Sequence, residues 1–296
     1  MNHAITNGRG YAFAALGGFI LSFDTILLRL INLPPVQIAF WRAVALALPV
    51  ICLVLFRYLR YQIAPDKKSL FSRDMLLSAF FYGLSSVLFP MSAMLTSIAN
   101  MLFIISTAPL WAGILGWLFL KEKVSKVACL SFILSLTGVL IVISETDSGI
   151  TFNPSIGDLI ALMTAILMAA AFVVGRGSAH DLSLSPSVGA ILAAIVLFSG
   201  FDIHLDLPAR TLSLVILEGA VVVFLALSLI ARASRFIPSS HLGLFLLLET
   251  ILGPVWIYLA FAEKPGESSI VGGGIILAAL LLNSGYSLWQ LKYRNA

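Results

Sequence analysis

Charge is scarce in this 296-residue chain: Asp, Glu, Lys and Arg make up 11% of it, against about 25% in an ordinary soluble domain. A globule of this size cannot be covered by 18 basic and 14 acidic side chains, so a water-solvated fold is excluded. Cysteine is scarcer still. Cys52 and Cys129 each fall inside an apolar run, which rules out a disulfide framework or a cysteine metal site and reads as packing. The four histidines, His3, His180, His204 and His241, lie in separate segments, and no HExxH, GxSxG, Walker or dinucleotide signature occurs. No catalytic centre, metal site or cofactor is expected. Ser239, Ser240 and His241 follow Pro238 and read as the start of a helix, not as a nucleophile and base.

What is abundant is apolar sequence. Hydrophobic residues make up 60% of the chain and the mean hydropathy is +1.03, values of a protein solvated by lipid. The apolar runs are far longer than barrel strands of about 10 alternating residues, so the fold class is an all-α integral membrane protein. Its first run continues past Ser22 and Asp24 and reads as a retained span, not a cleaved signal.

Five runs, Gly10 to Ile31, Val36 to Phe56, Asp74 to Met94, Ser97 to Leu120 and Val124 to Ser144, precede a polar stretch from Glu145 to Ser155. Five more follow: Gly157 to Gly177, Ser187 to Phe201, Leu212 to Ile230, Ser240 to Phe261 and Ser268 to Leu291. Asp74 to Leu120 as a single helix would be about 70 Å long, roughly twice the bilayer core, so the chain must fold back near Leu95 to Ser97. Ten spans put both termini on one side. That side carries 14 of the 18 Lys and Arg residues; Arg29, Arg210 and Lys264 lie opposite and Arg42 lies within a helix. The positive-inside rule then places both termini in the cytoplasm of an inner-membrane protein. The net charge of +4 is a matter of topology and implies no nucleic-acid partner.

The two halves, 1–148 and 149–296, read as inverted five-helix repeats. Gly10 and Arg29 recur as Gly157 and Arg176, and Leu118, Glu122 and Lys123 recur as Leu259, Glu263 and Lys264. The loops carry the charge that inversion requires. The base-free turn at Thr96 and Ser97 answers to one holding Arg232 and Arg235, and the five-base loop after helix 2 answers to Asp202, His204, Asp206 and Arg210.

Phe40-Trp41-Arg42-Ala43 early in helix 2, Thr107-Ala108-Pro109, and Trp117 to Glu122 closing helix 4 resemble the drug/metabolite transporter superfamily in its ten-helix form with two EamA-type repeats. Leu248-Glu249-Thr250 and Glu263 are similar to the same pattern in the second repeat, with Thr250 where proline is usual and Pro254 further on. The resemblance implies alternating-access transport of a small molecule without a cofactor. Its substrates span amino acids, nucleotide sugars, drugs and other metabolites, and the pattern leans towards the YddG-type amino-acid exporters.

Ionisable residues at membrane depth normally face a partner or water. Asp24 and Arg42 lie about 10 and 9 Å below the outer ends of helices 1 and 2, with Glu218 at similar depth in helix 8. They are expected to meet, either as a structural clamp or as a gate. Glu249 lies about 14 Å deep in helix 9 with no basic residue level with it. It reads as a proton-titrating site, a contact to a substrate ammonium, support for the bend at Pro254, or a carboxyl bonded to a neighbouring helix. Two stripes follow helical spacing, Ser78, Tyr82, Ser85 and Phe89 on helix 3 and Asn100, Phe103, Thr107 and Trp111 on helix 4. Polar groups beside aromatic rings suit a cavity for small amphiphilic solutes, and equally the packing of membrane helices. The expected substrate-binding set is Ser22, Tyr82, Ser85, Asn100, Thr107, Trp111, Glu249 and Trp256, with Met168 as a further lining residue.

The function expected is export of small metabolites across the inner membrane, foremost amino acids including aromatic ones, by a monomer in contact with membrane lipid. The alternatives are transport of drugs or of sugar- or nucleotide-type solutes, and a polytopic membrane enzyme with Asp24 and Glu218 as its acid–base dyad.

Overall fold

The structure, a computed structural model, describes residues 2–61, 72–121, 126–142, 155–178, 182, 184–233 and 239–294. Every regular element among them is helical: α1 (Asn2–Leu21), α2 (Asp24–Ile31), α3 (Pro35–Tyr61), α4 (Arg73–Leu95), α5 (Ile98–Ile105), α6 (Ala108–Leu120), α7 (Lys126–Val142), α8 (Ile156–Gly177), α9 (Ser185–Gly200), α10 (Ala209–Ile216), a π-helical turn (Leu217–Val223), α11 (Phe224–Ala233), α12 (Ser239–Phe261) and α13 (Glu267–Arg294). Segments 62–71, 122–125, 143–154 and 234–238, which hold many of the loop charges counted above together with Glu122 and Pro238, lie outside the described residues, as does His180.

Among the described residues, six helical stretches are long and apolar enough to cross a bilayer: Gly10–Ile31, Pro35–Phe56, Arg73–Leu95, Ile98–Leu120, Ile156–Gly177 and Ala209–Ile230. Four shorter apolar helices accompany them, Lys126–Val142, Ser185–Gly200, Leu248–Phe261 and Glu267–Asn283. Large apolar side chains cover the outside of the bundle, Phe119 at 69% and Leu259 at 68% exposure among them, as lipid solvation permits and water does not. Cys52 and Cys129 belong to this exterior. Both are exposed, which corrects their reading as packing residues: in a lipid-facing helix an apolar position need not point inward.

The fold-back between the third and fourth runs occurs at Thr96 and Ser97, both extended, where Ser97 caps α5 by accepting from the Asn100 amide. Thr96 donates to Asp158 across 2.6 Å, and Asp158 closes a capping box with Ser155 at the start of α8. The α4–α5 turn is thereby pinned to the head of α8.

Three of the long stretches are not regular helices throughout. The first breaks at Ser22 and Phe23, where amides bond three residues back, Ser22 to Phe19 and Phe23 to Ile20, each at 3.2 Å. The fourth breaks at Ser106 and Thr107, just ahead of Pro109, whose ring disfavours a helical residue before it and whose nitrogen cannot donate. The sixth, Ala209–Ile230, widens into the π turn at Leu217–Val223, an irregularity that occurs often at functional sites.

Glycine sets the closest helix approaches. A Cβ on Gly83 of α4 would lie 2.6 Å from the Gly189 carbonyl oxygen of α9, and one on Gly138 of α7 would lie 2.7 Å from that of Gly272 on α13. These are backbone-to-backbone crossings, as small residues permit in membranes.

Candidate functional site

The breaks and the π turn bring charged groups to one point. Asp24 opens α2, where the amides of the first turn favour an anion. Arg42 lies two turns into α3, and Glu218 stands in the π turn. Gly219 lets that turn close on α3, since a Cβ there would sit 2.5 Å from Ala45 Cβ.

The Arg42 guanidinium forks onto Asp24, Nη1 donating to Oδ1 at 2.8 Å and Nη2 to Oδ2 at 2.7 Å. Its Nη1 also donates to Glu218 Oε1. The guanidinium carbon stands 4.9 Å from the centre of the Phe89 ring, within cation–π range. All three charged residues are buried: Asp24 is 1% exposed, Glu218 0% and Arg42 5%. Both Nη groups of Arg42 are therefore committed to carboxylates, while Arg42 Nε and Glu218 Oε2 have no partner among the described residues.

Beside this cluster lies a cavity with about 510 Å³ of empty space, its open mouth included. Asp24, Arg42, Tyr82, Ser85, Ser86 and Glu249 are its polar lining, and Leu21, Leu46, Phe89, Met168, Pro186, Val223 and Leu227 its apolar lining. Glu249 comes from α12, is 7% exposed, and its Oε1 is buried without a hydrogen-bond partner among the described residues. Gly253, one turn on, admits Leu102 so closely that a Cβ there would lie 2.5 Å from Leu102 Cδ1. That contact packs α12 closely against α5.

Of the residues expected to touch substrate, Tyr82, Ser85 and Glu249 line this cavity, and Met168 joins them. Ser22, Asn100, Thr107, Trp111 and Trp256 are not among its lining. Trp256 donates to Ser22 Oγ at 3.1 Å and its ring stacks on Phe23, so this pair braces the break between α1 and α2. Asn100 accepts a hydrogen bond from Ser269 of α13. Trp111 donates to Thr107 Oγ1 at 3.1 Å and meets Phe132 edge-on. The stripe on helix 4 is divided by the break at Thr107, which turns its two ends towards different neighbours.

Several lining residues escaped sequence reasoning. Ser86 immediately follows Ser85 and carried no separate signal, and Leu21, Leu46, Val223 and Leu227 cannot be told by type from lipid-facing residues. A contact likewise not anticipated joins Arg29 to Glu263, with Arg29 Nε donating at 3.1 Å. Each residue is about half exposed, and the pair ties the end of α2 to the end of α12. Gln37 donates to the Asp202 carbonyl at 3.0 Å and Trp41 to that of His204 at 3.3 Å, tying the segment after α9 to the start of α3.

Residues 8–144 match the EamA-like transporter family. The EamA match supports the drug/metabolite transporter superfamily and, with it, a multi-pass membrane protein that transports a small-molecule solute. A crystal structure of another protein aligns with 91% of this chain and 95% of its own, at TM-score 0.59 and 16% identity; at that identity the likeness shows the fold alone. No curated protein matches the chain in sequence.

Proposed function

We propose that the protein is an inner-membrane exporter of small metabolites, foremost amino acids including aromatic ones, of the YddG type, that binds its cargo in the cavity between α3, α4 and α12. The observation that carries this reading is the make-up of the cavity: buried charged groups, hydroxyls and aromatic rings face one space whose lining comes from both 1–148 and 149–296. Transporters built from inverted repeats hold cargo at the repeat interface near the bilayer midplane and expose it to each side in turn.

Ten spans in two inverted repeats, both termini cytoplasmic and a functional monomer complete the proposal. The repeat draws support from the backbone. Lys121 and Ala262 both adopt left-handed φ of 55°, and they stand at the same separation in sequence as Leu118 and Leu259, one at the end of α6 and the other at the end of α12. A bilayer enzyme draws no support from Asp24 and Glu218, because both accept from Arg42, which ties them together as an ion cluster instead of leaving them as an acid–base dyad. Phosphate-bearing cargo is disfavoured for the same reason, since the guanidinium in the lining is already engaged.

The test is uptake of a panel of labelled amino acids into proteoliposomes holding the purified protein, with Ser85→Trp as a cavity-filling control. Saturable flux lost in the control at unchanged thermal stability supports the proposal. Flux no greater than that of protein-free vesicles across the panel rejects it.

A further inference from the structure

The cavity contains an uneven set of charges. Asp24, Arg42 and Glu249 line it directly, and Glu218 stands behind Arg42. The guanidinium spends Nη1 and Nη2 on Asp24 and Glu218, leaving a third carboxyl, that of Glu249, with an oxygen that is buried and accepts no hydrogen bond from any described residue. A buried acceptor is stable only when a donor meets it. An incoming ammonium supplies up to three N–H donors together with the charge that a carboxylate lacks. A cargo carboxylate meets no free cation, since both Nη groups of the lining guanidinium are engaged by carboxylates, and the remaining donors, Arg42 Nε and the hydroxyl of Tyr82, stand beside the carboxyls of Asp24 and Glu249. Around this polar point stand Phe89, Met168 and Tyr82, an apolar and aromatic wall suited to the body of an amphiphilic solute.

We infer that the cavity selects cargo by its ammonium group, held on Glu249, and discriminates against a cargo carboxylate, so that an aromatic amine or a carboxyl-blocked amino acid is preferred to the free amino acid. This rests on the transport reading above and moves its preferred cargo from the free amino acid to the corresponding amine or carboxyl-blocked form. Glu249 is then the specificity-determining residue, and the Asp24–Arg42–Glu218 cluster acts by keeping the cavity's guanidinium occupied.

Three probes with one aromatic body separate the outcomes: labelled phenethylamine, phenylalanine and 3-phenylpropionate, each measured for flux into proteoliposomes. The expected ranking is amine over zwitterion by at least about tenfold, with no flux of the acid. Glu249→Gln is expected to lower amine flux by a similar factor at unchanged thermal stability, with Glu249→Asp retaining part of it. Phenylalanine carried as well as or better than phenethylamine overturns the inference and leaves the transport reading standing. So does full amine flux in Glu249→Gln. If that variant fails to fold, the ranking in the unaltered protein decides alone. Absence of flux for all three probes and for the amino-acid panel removes the transport reading and the inference with it.

Discussion

Asp24 and Arg42 are only 18 positions apart, yet they meet from two different helices through a two-pronged hydrogen bond of 2.7 and 2.8 Å, buried from both lipid and water. The contact depends on an interruption of the first long helical stretch. Because the helix stops at Ser22 and restarts at Asp24, the carboxylate sits at a helix start, where its charge is favoured, and faces α3.

Removing one member of a buried ion cluster strands the others, at about 3–5 kcal/mol for a fully buried pair. Asp24→Asn and Arg42→Gln should each lower the thermal midpoint of the detergent-extracted protein, and the double variant should recover part of the loss. Strictly additive losses in that cycle would show that the two side chains do not couple.

The helix crossings supply a second prediction. Gly189→Ala places a Cβ 2.2 Å from the Ala79 carbonyl oxygen, which only a shift of α4 against α9 can relieve, at about 1–3 kcal/mol. Gly113→Ala, with nothing within 4 Å of the added carbon, should leave the midpoint unchanged. Equal behaviour of the two variants would remove the close-approach argument.

Arg29 and Glu263 should behave unlike the buried cluster. Half-exposed pairs contribute under about 1 kcal/mol and are screened by salt. Arg29→Ala should therefore shift the midpoint little, and any shift should vanish in high salt; a large, salt-insensitive loss would mark the pair as structurally essential.

Orientation is open to a labelling experiment in a Cys52→Ser, Cys129→Ser background, needed because both native thiols are exposed. A membrane-impermeant thiol reagent applied from outside should modify a cysteine at Leu205, which is 59% exposed in the segment after α9, and spare one at Ser69. The opposite pattern would reverse the topology.

Most of the candidate site was legible in the chain because charge is rare there. With 32 Asp, Glu, Lys and Arg side chains in all, each one inside an apolar run stands out, and counting residues at 1.5 Å per position puts Asp24, Arg42 and Glu218 at one level. The stripe on helix 3 was equally readable, and Tyr82 and Ser85 do reach the cavity. The stripe on helix 4 is divided, because spacing assumes an unbroken helix, whereas one helix ends at Ile105 and the next starts after Thr107.

Composition and residue order were therefore enough to read that the chain lives in lipid as helices and roughly where its apolar stretches begin and end. Packing decided the remainder: that Asn100 turns to Ser269 while Trp111 turns to Thr107 and Phe132, that Cys52 and Cys129 face outward, and that one oxygen of Glu249 is left without a donor among the described residues. The reason is the solvent. In water, hydropathy separates the face of a helix that turns inward from the face that turns outward, whereas in a bilayer both faces are apolar. The rotation of each helix is then chosen by close contacts such as Gly83 against Gly189 and Gly253 against Leu102, which involve partners more than a hundred positions away and leave no trace in local periodicity.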